Sequence, residues 1–219
     1  MISASQSPAQ TFIDRNSYTY FGEYEDISFK LNYKDISGSP YLNDDLVVGH
    51  VVFNNGDSIA HYLRYDMYAD EMEYLNNKSL QVVVNIPALD HIKLDKHRFV
   101  FKSYFENGVQ TSGFLIQLVS AQCSLYKKVG VKFEEAQAEQ SMPFREATPE
   151  QFKSIPVKWY FGCNSSTITS FNPTTAGLKE VFEKRYTKAK DFIKANRLKP
   201  KKEEDLITLF EYYNELLKQ

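Results

Sequence analysis

Two Asn-Gly pairs, each set between stretches of alternating apolar side chains, constrain this chain more than any other feature. Asn-Gly tolerates the positive φ angles of a tight hairpin, so each pair predicts two antiparallel strands that meet there. Asn107-Gly108 divides His97–Phe105 from Thr111–Val119. In the first stretch Phe99, Phe101 and Phe105 share a face and Val100, Lys102 and Tyr104 share the other; in the second, Phe114, Ile116 and Leu118 share a face. Phe99, Phe101, Phe114, Ile116 and Leu118 are therefore expected in a core. Asn55-Gly56 divides Val47–Phe53 from Ile59–Tyr65 in the same way, and further strands are read at Glu71–Leu75, Leu80–Ile86 and Ser124–Phe133. Many short strands joined by turns between residues 12 and 133 predict an antiparallel β domain, sandwich- or barrel-like.

The pattern then changes twice. Residues 134–156 are polar and hold Pro143, Pro149 and Pro156, which reads as a linker or surface loop. Residues 157–219 begin with a strand pair, Val157–Phe161 and Ser166–Thr169, and turn to a period of 3.6 after Asn172-Pro-Thr-Thr175, whose side chains suit a helix cap. Leu206, Leu209, Phe210, Tyr213, Leu216 and Leu217 keep to one face of the clearest helix, and Glu203, Glu204 and Asp205 supply the charge that a helix N-terminus favours. The expected fold class is α+β, a β domain with a C-terminal helical segment packed near it.

Charge and cysteine content narrow the function. The 26 basic residues nearly balance 28 acidic ones, so no overall basic surplus marks a dedicated nucleic-acid binder, and nucleic acid is a disfavoured partner. One run departs from the balance. From Lys184 to Lys202 nine basic residues are opposed by Asp191 alone, which reads as a solvated helix face or as a basic tail docking on anionic membrane or nucleic acid. Cys123 and Cys163 lack metal-ligand spacing. Two buried free thiols are the preferred reading, and a single bridge is the alternative in an exported chain. No apolar run reaches the roughly 20 residues of a membrane-spanning helix. The small polar opening, Met1 to Gln10, has no signal-peptide pattern; it also looks like the segment that follows a removed signal. The location is periplasm or cell envelope if a signal has been removed, and cytoplasmic if Met1 is native.

Candidate sites come from two clusters. Aromatic residues make up 15% of the chain, and tyrosines crowd its opening stretch. Tyr18, Tyr20, Tyr24, Tyr33 and Tyr41 are the candidate ligand-binding residues, since exposed rings form a platform for sugars or peptides and buried ones are cross-strand packing. Asp66, Asp70, Glu71 and Glu73 are the densest acidic cluster and the candidate metal ligands. Paired carboxylates serve hydrolysis or hold a cation, although the ligand order of an EF-hand is absent. No HExxH, GxSxG, Walker or Rossmann pattern occurs, so no cofactor is expected and no catalytic residue is assigned.

Three segments carry a resemblance: Gly38-Ser-Pro-Tyr-Leu-Asn43, Leu63-Arg-Tyr-Asp-Met-Tyr-Ala-Asp-Glu-Met-Glu-Tyr-Leu75, and the tail from Asp191 through Glu204-Asp-Leu to Tyr212-Tyr-Asn214. In this order they resemble a group of uncharacterised exported β-rich proteins of Bacteroidetes-type bacteria. The motifs are turns, strand faces and caps, and the group supplies no catalytic residues to transfer. The resemblance implies export. The expected function is a non-enzymatic exported or cell-envelope protein acting as a binding or structural module, with an envelope protein or glycan as partner. The rival is a hydrolase or cation-dependent enzyme using the Asp66–Glu73 cluster.

Overall fold

A computed structural model describes residues 11–14, 17–20, 33, 36–76, 79–83, 88–137, 140–141, 144–145, 147–164 and 167–218. Strands dominate and the helices lie in the C-terminal segment, which is the expected α+β class. The chain forms two compact units, Met1–Asp95 with Val131–Lys153 and Lys96–Gly130 with Ser154–Gln219. Each is discontinuous in sequence, so the division differs from the expected one at residues 133 and 156.

In the first unit β1 (Thr11–Asp14) and β2 (Ser17–Tyr20) pair antiparallel. β3 (Val47–Phe53), β4 (Ser58–Asp66), β5 (Glu71–Asn76), β6 (Ser79–Val83) and β7 (Leu89–Leu94) make an antiparallel array in the order β7-β3-β4-β5-β6. Gly56 turns the β3–β4 hairpin at φ 90°. Val51, Leu63, Tyr65, Met72, Tyr74, Ile92 and Leu94 alternate onto one face and are buried.

The same unit contains β11 (Val131–Glu134), β12 (Gln140–Ser141), β13 (Phe144–Arg145) and β14 (Gln151–Ser154), with β11 paired to β14 and β12 to β13. The segment 134–156, expected as linker or loop, thus supplies strands. Its polar composition hid Phe152, which is buried with Ile36 and Val131. The expected strand Ser124–Phe133 is also two strands, because the chain leaves one unit for the other at Gly130.

In the second unit β8 (His97–Glu106), β9 (Val109–Val119), β10 (Cys123–Lys128), β15 (Lys158–Cys163) and β16 (Ile168–Phe171) are successive antiparallel neighbours. Five strands running alternately up and down leave the first and last pointing the same way, so closing the ring requires a parallel pair. β16 and β8 make it, at Ile168–Tyr104 and Thr169–Phe105. Val100, Tyr104, Leu115, Tyr126 and Tyr160 pack together as one core cluster. On the alternate face Val119, Cys123, Leu125 and Phe171 pack against the helices. Phe99, Phe114 and Ile116 are buried as expected; Phe101 and Leu118 are only half-buried.

The helices are α1 (Thr175–Phe182), α2 (Tyr186–Ala195) and α3 (Glu203–Leu217). The Thr174 side chain caps α1 by accepting from the Gly177 N–H. α3 buries Leu206, Leu209, Phe210, Tyr213 and Leu216, each stabilising the fold by about 1.5–3 kcal/mol. Two polar anchors fix α3 on β10. Lys127 donates to both carboxylate oxygens of Glu203 at 2.8 and 2.6 Å. At the other end Asn214 accepts from the Cys123 N–H at 2.8 Å and donates to the Cys123 carbonyl at 2.9 Å. Cys123 and Cys163 are directly opposed on β10 and β15 and are joined in a disulfide, correcting the preference for free thiols. Their contact depends on a strand pairing formed across 40 residues, which the spacing of the cysteines does not reveal.

Replacing Asn214 with Leu keeps the number and branching of side-chain heavy atoms but leaves the Cys123 N–H and carbonyl buried without their partner. The expected cost is about 2–4 kcal/mol, read as a lower midpoint in urea unfolding of the oxidised protein.

Candidate functional site

The β4–β5 hairpin gathers most of the acidic cluster. Its register places Arg64 opposite Glu73 and Asp66 opposite Glu71 on one face. Glu73 is fully buried, and its charge is met by the Arg64 Nε at 2.7 Å. Asp66, also fully buried, accepts from the Tyr68 and Ala69 backbone N–H groups at 2.9 Å each, closing the turn after β4. Its second oxygen accepts from the Tyr33 hydroxyl at 3.3 Å. Asp70 sits at φ 57° and accepts from Tyr65 at 2.6 Å, a side chain that alternates to the other face of β4. Among the described residues no group of three or more His, Cys, Asp or Glu could hold a metal ion.

A second extended segment delivers Tyr41 to these carboxylates. Leu42 N–H donates to the Tyr65 carbonyl and Met67 N–H to the Pro40 carbonyl, which lays residues 40–42 along the end of β4. Just before them, Ser37 exchanges backbone hydrogen bonds with Glu150 and Phe152. Gly38 lies so close to β14 that a Cβ there would meet the Phe152 carbonyl oxygen at 2.5 Å, and its φ is +80°. Both facts require glycine at the start of the Gly38-Ser-Pro-Tyr motif.

The result is a compact group of rings beside a half-buried ion pair. Tyr33 meets Tyr41 edge-on at 5.9 Å, Tyr68 at 6.4 Å and Phe152 at 5.2 Å. The Arg64 guanidinium lies 3.6 Å above the Tyr41 ring and also donates to the Tyr41 hydroxyl at 2.9 Å. Tyr33 and Tyr41 are half-buried and Tyr68 is 40% exposed. Burial first, then the Glu73 charge, pushes Tyr41 up to about 12, with Arg64 opposing. Burial and the neighbouring Asp66 raise Tyr33 further still. Both phenols stay neutral across the physiological range, their hydroxyls engaged with charged groups below, and the arrangement can offer ring surface to a ligand.

Of the sequence candidates, the structure brings together Tyr33, Tyr41, Asp66, Glu71 and Glu73. Tyr18 and Tyr20 lie on β2, where side chains are not among the described features, and Tyr24 falls outside the described residues. Sequence reasoning missed Arg64, Tyr68 and Phe152. Arg64 was within reach, because counting back from the turn sets it opposite Glu73. Phe152 was not, because it stands alone in a polar stretch.

The second unit has a cleft of about 570 Å³ lined by Glu106, Lys158, Trp159, Asn172 and Gly177, among others. Burial would raise the Glu106 carboxyl, but hydrogen bonds from Lys158 and Tyr160 outweigh it and hold the group below its ordinary value. The chain matches no family model, no curated protein and no solved structure.

Arg64→Met leaves the Glu73 carboxylate buried without its counter-charge, at an expected cost of about 3 kcal/mol in denaturant unfolding. Adding Glu73→Leu to that variant removes the orphaned charge and recovers much of the loss. A second outcome concerns pH. Between pH 10 and about 12 folded Tyr41 keeps a proton that the unfolded chain has released, so stability falls as pH rises through that window. Tyr41→Phe makes the alkaline fall shallower and removes one late-ionising phenol from the phenolate absorbance titration.

Proposed function

We propose that this chain is an exported, non-enzymatic module of the cell envelope that binds or supports a partner. The observation that carries export is the Cys123–Cys163 disulfide. Structural disulfides persist in oxidising compartments and are rare in a reducing cytosol. A bridge seated between paired strands and packed under three helices has the character of a structural bond rather than a redox switch. The resemblance carried by the Gly38–Asn43, Leu63–Leu75 and Asp191–Asn214 segments points the same way.

The binding part of the proposal rests on the ring cluster of Tyr33, Tyr41 and Tyr68. Rings held in place, Tyr33 and Tyr41 by their hydroxyls and Tyr68 by ring contacts with Tyr33 and Phe152, lose little freedom when a ligand covers them, which suits a sugar or peptide partner. The carboxylates beneath are engaged in holding the hairpin, Asp66 by backbone N–H groups and Glu73 by Arg64, and this favours a supporting role for them over an acid–base one.

Thiol labelling tests the export reading. In protein taken from its native host and denatured without reductant, Cys123 and Cys163 should resist alkylation and become reactive only after reduction. Ready alkylation of both before reduction would remove the basis of the proposal.

A further inference from the structure

The near-neutral total charge conceals a division between the units. Residues 1–95 and 131–153 carry nine basic and 19 acidic side chains, a net −10; residues 96–130 and 154–219 carry 17 and nine, a net +8. In the second unit the excess is concentrated between Lys184 and Lys202, where nine basic residues meet one acidic residue. All nine are exposed except Arg185, which is half-buried and donates to the Leu216 carbonyl at the end of α3. Three acidic residues follow the run: Glu203 is bonded to Lys127, Asp205 accepts from the Lys199 backbone N–H, and Glu204 is exposed, so the nine basic residues still outnumber the carboxylates around them.

Helix α2 shows what kind of contact this surface can make. Ala189 is buried, Phe192 and Ile193 pack on the core, and Phe192 stacks on Tyr212 with ring centroids 3.8 Å apart. Its exposed positions are Thr187, Lys188, Lys190, Asp191, Lys194 and Ala195. They include no ring or large apolar side chain, so a partner is held by charge alone.

We infer that α2 and the loop from Asn196 to Lys202 form a docking surface for an anionic membrane, binding phospholipid headgroups without inserting apolar side chains. Clusters of this size on a helix are attracted to anionic lipid within about one Debye length, near 10 Å at 0.1 M salt. Nucleic acid fits less well, because no exposed ring on α2 is placed to stack on a base. A second copy of the chain also fits less well. The acidic residues of the first unit are spread over two segments, and Asp66 and Glu73 among them are buried. The choice of lipid as partner rests on the envelope reading above; the binding itself is testable without it.

The test is co-sedimentation of the purified, oxidised full chain with phosphatidylcholine vesicles, with and without phosphatidylglycerol. Binding is expected only to the vesicles containing phosphatidylglycerol, and only at low salt. Lys190→Glu, Lys194→Glu and Lys201→Glu together should weaken it at least about tenfold. Lys102→Glu, Lys179→Glu and Lys218→Glu, exposed sites outside the run, make the same change in net charge and should leave most binding intact. Circular dichroism and the intact disulfide establish that both triple variants are folded. The inference is overturned by no binding at low salt, by equal binding to neutral vesicles, or by equal loss in the two variants. It is also overturned if a single-stranded oligonucleotide binds at salt that abolishes vesicle binding, or if the patch variant instead abolishes self-association. Vesicle binding by a chain whose cysteines prove reduced in the host would retain the surface and reject export.

Discussion

Cys123 is the point on which the second unit hangs. Its sulfur is bonded to Cys163 on β15, and its backbone N–H and carbonyl are both taken by the Asn214 side chain on α3. Asn214 therefore acts as a substitute strand partner, satisfying a donor and an acceptor that a buried backbone cannot leave open. Its amide also donates to the Phe210 carbonyl one turn back, which orients it for the task. With Lys127 bound to Glu203 at the other end, α3 runs antiparallel to β10 at a fixed height. Once that placement is set, the apolar stripe of α3 meets Val119, Leu125 and Phe171, and α1 and α2 close over it.

The first unit solves a different problem, that of keeping charged groups under cover. Glu73 and Asp66 are fully buried, and each is answered by neighbouring donors. Backbone N–H groups and a phenol serve Asp66; a guanidinium that is itself stacked on Tyr41 serves Glu73. Such an arrangement adds little stability relative to an apolar core of the same shape, since desolvation offsets much of the attraction. It gives the hairpin one definite register and holds three tyrosines in one orientation at the surface. The same residues that resemble a catalytic or cation cluster in sequence become the foundation of an aromatic surface in three dimensions.

Much of the fold was legible because alternation and turn chemistry are local. Both Asn-Gly hairpins, the Thr174 cap and the α3 stripe follow from neighbours a few residues apart, where sterics and burial act directly on the pattern. The less legible parts depend on distant segments. Phe152 signals nothing by itself, and only the backbone pairing with Ser37 brings it beside Tyr33. The Lys184–Lys202 run shows in the sequence, but the full charge division does not, because each unit is assembled from separated stretches. Gathered by unit, the net charges are −10 and +8.

By itself the sequence determined that residues 12–133 would be rich in hairpins, that helices would follow residue 172, and that tyrosines and carboxylates would crowd the first third. These are consequences of side-chain periodicity and of the few residues able to turn a strand. Only the tertiary structure decided that Cys123 faces Cys163 and that five strands close into a ring by one parallel pair. Only it decided that Tyr33 and Tyr41 share a surface above Arg64 and Glu73. Each of these depends on which strands become neighbours, a choice made by the burial of whole faces against one another rather than by any local run of residues.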